Sequence, residues 1–295
     1  MVLSEEQLQT WSNKGAVTKL INAHESIRTV LLSDNSPIKG KKMEFYLQGS
    51  YKNNTNVRVD SDVDVVIQLN DVFYRDISLL SPEQQSLYTA SFNDGTYTYW
   101  NFRADVIKAL TDYYGPTKVK TGNKSIKLAG DTNRVNADVV PCVQYRKYKR
   151  FQSLTDQEYI EGMSFFTQSE QRQIINYPKK HYENGCSKNS SEQTNGWFKP
   201  TVRMLKNARS KLVEDNIVQE KLSPSYFLEC LVYNVPNITF GKSWKSTYYN
   251  VLDWLSKADF TKFVCQSEQT YLFGNSPEQW NTTDAKTLVT RLLEL

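Results

Sequence analysis

The sequence has 295 residues, of which 39% are hydrophobic, 13% aromatic and 23% charged, with a formal net charge of +4 at pH 7. A chain of this length and composition can bury its own core, which excludes disordered proteins and disulfide-stapled miniproteins. No long apolar run or secretory signal pattern is present, so we expect a cytoplasmic protein without membrane spans. Residues 1–150 hold 20 basic and 16 acidic side chains and thus carry the whole net charge, so a polyanionic partner would bind that half.

The first half of the chain alternates between helix and strand patterns. Ser4 with Gln7 has the spacing of a capping box, and apolar residues at three- and four-residue steps predict one long helix ending near Asp34. The next elements are predicted in chain order: strands over 43–47 and 63–67, a helix over 83–114, and a hairpin of strands 118–128 and 134–140. Pro141 is expected to limit the last strand.

From about residue 155 the patterns become helical. A polar loop is predicted over 183–196, and helices are predicted near 197–215, 224–234, 244–257 and 283–294. The sequence therefore predicts an α+β fold of two domains, residues 1–155 with a mixed sheet and residues 156–295 with helices.

Three aspartates stand in strand-like surroundings. Asp62 and Asp64 have the same parity, so their side chains should leave one face of a strand about 6.6 Å apart. Asp60 shares that parity but lies nearer the loop and ranks below them. Asp138 interrupts a second apolar strand. Carboxylates held together repel each other unless a cation neutralises them, and Mg²⁺ with substrate phosphates is the usual occupant.

A Gly-Ser pair precedes these aspartates. Gly49 would let backbone N–H groups approach phosphate oxygens, and Ser50 would add a hydroxyl donor. The order of features is informative: a strand, Gly-Ser, eleven residues, Asp-Val-Asp on a strand, and then a single Asp on a later strand.

This order resembles the DNA polymerase β-like nucleotidyltransferase superfamily. Two later segments look like those of oligoadenylate synthases and bacterial CD-NTases: residues 197–209, with Arg203 and Lys206 one turn apart, and residues 222–231, with the sequence Pro-Ser-Tyr-Phe-Leu-Glu. The chain is therefore identified as a bacterial CD-NTase that is similar to clade E of these cyclic oligonucleotide synthases. The resemblance implies a polymerase β-like core with a long N-terminal helix, followed by an oligoadenylate-synthase-like helical domain.

The resemblance also implies a set of site residues. Asp62, Asp64 and Asp138 would hold two Mg²⁺ or Mn²⁺ ions and carry catalysis. The expected substrate-binding residues are Gln48, Gly49, Ser50, Asn176, Arg203, Lys206, Ser225 and Tyr226. Lys206 could neutralise a triphosphate, and Ser225 lies where a helix N-terminus favours an anion. Asn176 lies where clade E enzymes read the base, and its amide could match either uracil or adenine.

The implied function is synthesis of a cyclic di- or trinucleotide from NTPs, ATP with GTP or UTP, as a messenger in CBASS antiphage defence. The protein would act as a monomer and signal to an effector protein that reads the cyclic nucleotide. Two alternatives stay open: a linear oligonucleotide or RNA nucleotidyltransferase, and an RNA-binding sensor with weak catalysis. The second depends on basic residues that could bind an activating RNA, namely Lys39, Lys41, Lys42, Lys118, Lys120, Lys124, Lys127 and the run 146–150.

Overall fold

The computed structural model describes residues 3–15, 20–57, 62–132 and 134–295. Its strands are β1 (Met43–Gln48), β2 (Val63–Asp76), β3 (Val119–Thr121), β4 (Ile126–Leu128), β5 (Ala137–Phe151), β6 (Gln157–Phe166) and β7 (Gln173–Asn176). Its α-helices are α1 (Glu5–Ser12), α2 (Leu20–Leu31), α3 (Gly49–Asn53), α4 (Pro82–Ser91), α5 (Tyr99–Tyr114), α6 (Pro178–Lys188), α7 (Phe198–Glu214), α8 (Ser225–Tyr233), α9 (Trp244–Lys257) and α10 (Thr282–Leu293). No helix in these ranges combines the length and apolar character needed to cross a membrane.

The chain forms two compact units. The sheet unit consists of the described residues of 17–48 and 60–178, and the helical unit consists of those of 1–16, 49–59 and 179–295. The observed α+β class, with helices in the C-terminal part, confirms the predicted fold class.

The sheet unit is built on one seven-stranded mixed sheet. Its order is β1-β2-β5-β4-β3, and β5 also pairs with β6, which pairs with β7. β2 and β5 run parallel, whereas all other neighbours are antiparallel. Buried Val, Ile and Leu side chains of the two central strands form its core, and α2 and α5 pack on the sheet and against each other. The central parallel pair thereby fixes the relative position of the residues that these two strands carry.

The helical unit is organised around α7. This amphipathic helix has 17 residues and packs against α1, α8, α9 and α10. Its apolar side chains Phe198, Val202, Leu205 and Leu212 belong to a core shared with the other helices. The predicted helices near 197–215, 224–234, 244–257 and 283–294 are confirmed as α7 to α10.

Two predicted helices are each divided in the structure. Ser4 caps α1 by accepting a hydrogen bond from the Gln7 amide (3.1 Å). The prediction of one helix to Asp34 was nevertheless wrong, because α1 ends at Ser12 and the Gly15 amide donates to the Asn56 carbonyl (3.2 Å) instead of continuing the helix. The predicted helix over 83–114 is likewise interrupted between α4 and α5, where the sequence Asn-Asp-Gly disfavours helix.

Three strand predictions also differ from the structure. Residues 118–128 form two short strands with a turn between them, where the Gly122 amide donates to the Ser125 carbonyl (2.8 Å). β5 continues through Pro141, because β4 pairs only up to Val139 and β6 begins pairing at Val143, so the missing N–H interrupts neither ladder. β6 and β7 follow residue 155, and α6 occupies the start of the predicted loop over 183–196.

Candidate active site

Asp64 and Asp138 face each other across the parallel strands at the centre of the sheet unit. They are register partners of β2 and β5, and Gln48 is the partner of Asp64 on the other side, in β1. Directly opposed residues project from the same face of a sheet. Asp62, two residues before Asp64, is exposed, whereas Asp64 and Asp138 are half-buried. Asp60, the lower-ranked candidate, lies outside the described residues.

The environment of Asp64 disfavours its negative charge. Burial raises the pKa of its carboxyl from 3.8 to about 7, and the nearby carboxylates of Asp138 and Asp62 add to the shift. The Ser125 hydroxyl donates a hydrogen bond to Asp138 Oδ1 (3.1 Å). We call these three aspartates the carboxylate face, and none of them forms an ion pair with any residue that the structure describes.

The donor chemistry of the carboxylate face fits a hard divalent cation. Within the described ranges, no set of three or more His, Cys, Asp or Glu side chains is arranged to hold a metal ion by itself. Mg²⁺ does not require such a cage, because it keeps several waters and takes one or two protein carboxylates together with substrate phosphates. Asp64 and Asp138, with Asp62 beside them, are the residues that would hold it.

The raised pKa of Asp64 predicts how stability changes with pH in the metal-free protein. The folded state keeps a proton on Asp64 up to about pH 7, whereas the unfolded chain loses it at about pH 4. The free energy of unfolding should therefore fall across that interval as the pH rises. Thermal unfolding in EDTA should show Asp64→Asn to be more stable than the wild type at pH 8 and no more stable at pH 4. Parallel pH profiles for the two proteins would contradict this assignment.

Gly49 and Ser50 lie directly after β1. The chain leaves the strand at Gln48, and Gly49 has φ +73°, a left-handed conformation that favours glycine. The five-residue helix α3 starts there, and the Ser50 carbonyl accepts a hydrogen bond from the Thr55 amide (2.8 Å). The Gly-Ser pair therefore begins a tight turn over residues 49–55, which the hydrogen bond between Thr55 and Ser50 closes.

A buried polar network lies in the helical unit, centred on Glu229 of α8. Its Oε1 accepts hydrogen bonds from Asn53 Nδ2 (3.0 Å) and His181 Nε2 (3.1 Å), and its Oε2 accepts from Thr55 Oγ1 (2.8 Å) and Lys206 Nζ (3.1 Å). All five residues are buried. Burial alone would raise the pKa of Glu229, but Lys206, His181 and Thr55 hold it well below its usual value. We call these residues the Glu229 network.

Lys206 and Arg203 are engaged by protein groups in this structure. Besides Glu229, Lys206 Nζ donates to the carbonyl (3.3 Å) and hydroxyl (3.2 Å) of Thr55. Arg203 donates to the carbonyls of Ser12 and Asn54. Both side chains therefore hold the segment after the Gly-Ser pair, a role that the sequence did not suggest.

The other predicted substrate-binding residues lie at exposed positions. Ser225 is the first residue of α8, and Tyr226 is 47% exposed with its ring stacked on His181 (centroids 5.4 Å apart). Asn176 is the last residue of β7, where it pairs with Met163 and its side chain is exposed. Glu229 and His181 were missed by sequence reasoning, although an acid inside the apolar segment 227–232 of α8 was a signal that a buried partner exists.

Comparison with known proteins gives a consistent set of similarities. Residues 183–295 match the family model described as the cGAS/DncV-like nucleotidyltransferase C-terminal helical domain. The chain is 51% identical to the cyclic UMP-AMP synthase of Rhodothermus marinus, over 97% of this chain and 95% of that protein. It is 44% identical to the cyclic nucleotide synthase CdnE01 of Staphylococcus haemolyticus, over 97% of this chain and 95% of the relative.

The solved structures show the same similarity. The structure of the Rhodothermus marinus CdnE c-UMP-AMP synthase with Apcpp and Upnpp matches with a TM-score of 0.88 and 50% sequence identity. That match covers 98% of this chain and 95% of the other chain.

Proposed function

Because this chain belongs to the CD-NTase family of nucleotidyltransferases and to its CdnE cyclic nucleotide synthases, we propose that it joins UTP and ATP into a cyclic UMP-AMP dinucleotide. The opposed pair Asp64 and Asp138 is the observation that carries the proposed chemistry. The choice of bases is supported by the 51% identity to the cyclic UMP-AMP synthase and by the exposed amide of Asn176 at the end of β7.

The proposed reaction consists of two similar transfers. In each transfer, a ribose hydroxyl of one nucleotide attacks the α-phosphorus of the other. The bond between that phosphorus and the oxygen bridging to the β-phosphate breaks, and pyrophosphate leaves. The proton of the hydroxyl passes to solvent. The linear intermediate then turns, so that its remaining triphosphate reacts with its other ribose and the ring closes.

The predicted site residues have different roles in this reaction. Asp62, Asp64 and Asp138 would hold the cations and orient the acceptor hydroxyl, and Gln48, Gly49 and Ser50 would bind the donor triphosphate. Two Mg²⁺ ions, when bound with the substrates, supply activation of the hydroxyl and neutralisation of the departing pyrophosphate. Ser225 and Tyr226 complete the predicted substrate contacts. Arg203 and Lys206 were predicted to join them, which would require these two side chains to release hydrogen bonds to the protein.

We further propose that the enzyme acts in CBASS antiphage defence. A monomeric cytoplasmic enzyme would release the cyclic dinucleotide to an effector protein. In the basic run 146–150, Arg146 stacks on Phe73 (3.9 Å to the ring centroid) and Arg150 pairs with Asp156, so an activating RNA would bind the hairpin lysines more readily than this run. The lysines of the β3–β4 hairpin are exposed.

The proposed function is tested by incubating the purified protein with all four NTPs and Mg²⁺, treating with phosphatase and identifying the products by mass spectrometry. We expect a phosphatase-resistant cyclic UMP-AMP, formed with UTP and ATP alone and lost in EDTA. Phosphatase-sensitive linear products would support the alternative of a linear transferase. The absence of any product, with and without structured RNA, would favour a binding protein over a synthase.

A further inference from the structure

A continuous row of polar side chains crosses five strands of the sheet unit. Lys120 of β3 is the register partner of Lys127 of β4, and Lys127 is the partner of Asp138 in β5. Asp138 pairs with Asp64 of β2, and Asp64 pairs with Gln48 of β1. The two lysines therefore extend the carboxylate face on the side away from β1.

The burial pattern places both lysines on the face that carries the aspartates. Their strand neighbours Val119, Ile126 and Leu128 are buried, whereas Lys120 and Lys127 are exposed. Directly opposed residues of antiparallel strands have Cβ atoms about 4.5–5.5 Å apart. The long side chain of Lys127 thus starts next to Asp138 and can reach a ligand bound there.

The ammonium group of neither lysine has a partner among the described residues. Lys108 pairs with Asp112 (2.7 Å) and Lys39 with Asp34, but the side chains of Lys120 and Lys127 form no ion pair or hydrogen bond among the described residues. Two like charges directly opposite each other on adjacent strands are destabilising. A ligand with several negative charges would relieve that repulsion, and a nucleoside triphosphate is such a ligand.

We propose that Lys127, assisted by Lys120, binds the phosphate groups of the acceptor nucleotide. This inference rests on the proposed function. Attacking and leaving oxygens lie roughly in line in phosphoryl transfer, so the acceptor approaches the α-phosphorus from the side opposite the departing pyrophosphate. Gln48, predicted to contact the donor triphosphate, lies at the β1 end of the row. The acceptor therefore belongs at the other end, where the lysines stand beside Asp138.

The test combines a change in the protein with a change in the acceptor. In one series ATP is the donor, and UTP or uridine is the acceptor. In the other series UTP is the donor, and ATP or adenosine is the acceptor. With the triphosphate acceptor, Lys127→Gln should lower kcat/KM about 10-fold or more, the effect expected for loss of a charge-assisted contact. With the nucleoside acceptor, the variant and the wild type should have equal rates.

The hairpin supplies a matched control and a conservative variant. Lys124 lies in the turn between β3 and β4, so Lys124→Gln makes the same charge change on the same hairpin outside the row and should leave kcat/KM unchanged. Lys127→Arg should keep most of the activity. Equal losses with Lys124→Gln would indicate a diffuse basic surface, including one that binds RNA, and would overturn the proposal. Equal losses with both acceptors would overturn it as well, since Lys127 would then act without touching phosphate.

A binding measurement separates this inference from the proposed function. Calorimetric titration with nonhydrolysable ATP and UTP analogues, with Ca²⁺ in place of Mg²⁺, needs no turnover. We expect two nucleotides per chain in the wild type, one of them bound about 10-fold more weakly by Lys127→Gln. If nucleotides bind in this way but no cyclic product forms, the proposed function fails and the phosphate site remains. If Lys127→Gln binds both nucleotides as the wild type does, the phosphate site fails.

Discussion

Replacing Asp64 with asparagine is expected to abolish synthesis, with pyrophosphate release lowered about a thousand-fold or more and the fold intact. The amide keeps the size of the side chain but lacks the negative charge with which a carboxylate binds a divalent cation and is neutralised by it. Asp64 lies opposite Asp138 at the centre of the sheet unit, where the donor oxygens of two strands meet. Activity is measured as pyrophosphate released per minute from UTP and ATP with Mg²⁺.

Asp71→Asn is the matched control for this variant. Asp71 lies in the same strand but is exposed, and it accepts a hydrogen bond from the Lys42 amide (3.0 Å), which an asparagine oxygen can also accept. It should be as active as the wild type. Asp138→Asn should be as inactive as Asp64→Asn. Activity above about one hundredth of the wild type in a folded Asp64→Asn protein would exclude Asp64 as a metal ligand.

The carboxylate face was predictable because its signals are local. Apolar residues on both sides of Asp64 and Asp138 indicate two strands, in which each acid is the exceptional residue. Side-chain parity alone relates Asp62 to Asp64. That the two strands are neighbours followed only from the resemblance, since no local pattern specifies a parallel pairing between residues more than 70 positions apart.

The features that the sequence did not reveal depend on register or on distant partners. Lys120 and Lys127 face each other because the chain turns at Gly122–Ser125, whereas a single strand over 118–128 would have placed them on opposite faces. The continuation of β5 beyond Pro141 depends on which residues of β4 and β6 pair with it. Glu229 pairs with Asn53 and Thr55, more than 170 residues earlier in the chain.

Replacing Glu229 with alanine should destabilise the protein by about 3–5 kcal/mol, a large share of the about 5–15 kcal/mol that stabilises a typical domain. Glu229 is buried and accepts hydrogen bonds from four side chains. Its removal leaves the ammonium of Lys206 buried without a carboxylate, and leaves the Asn53 and His181 donors without an acceptor. The free energy of unfolding is measured by urea titration with Mg²⁺ absent.

The expected loss depends on pH in a defined direction. The pKa of Glu229 is lower in the folded state than in the unfolded chain, so its contribution is fully present above the unfolded value, about 4.3, and is lost progressively as the pH falls from there toward the lower pKa of the folded state. Wild type and Glu229→Ala should therefore differ most near pH 7 and converge in acid. Glu220→Ala removes an exposed carboxylate 4.0 Å from Arg209 and should change stability by less than about 1 kcal/mol. A Glu229→Ala protein as stable as Glu220→Ala would contradict this prediction, because it would show that the buried groups of Lys206 and His181 do not depend on the Glu229 carboxylate.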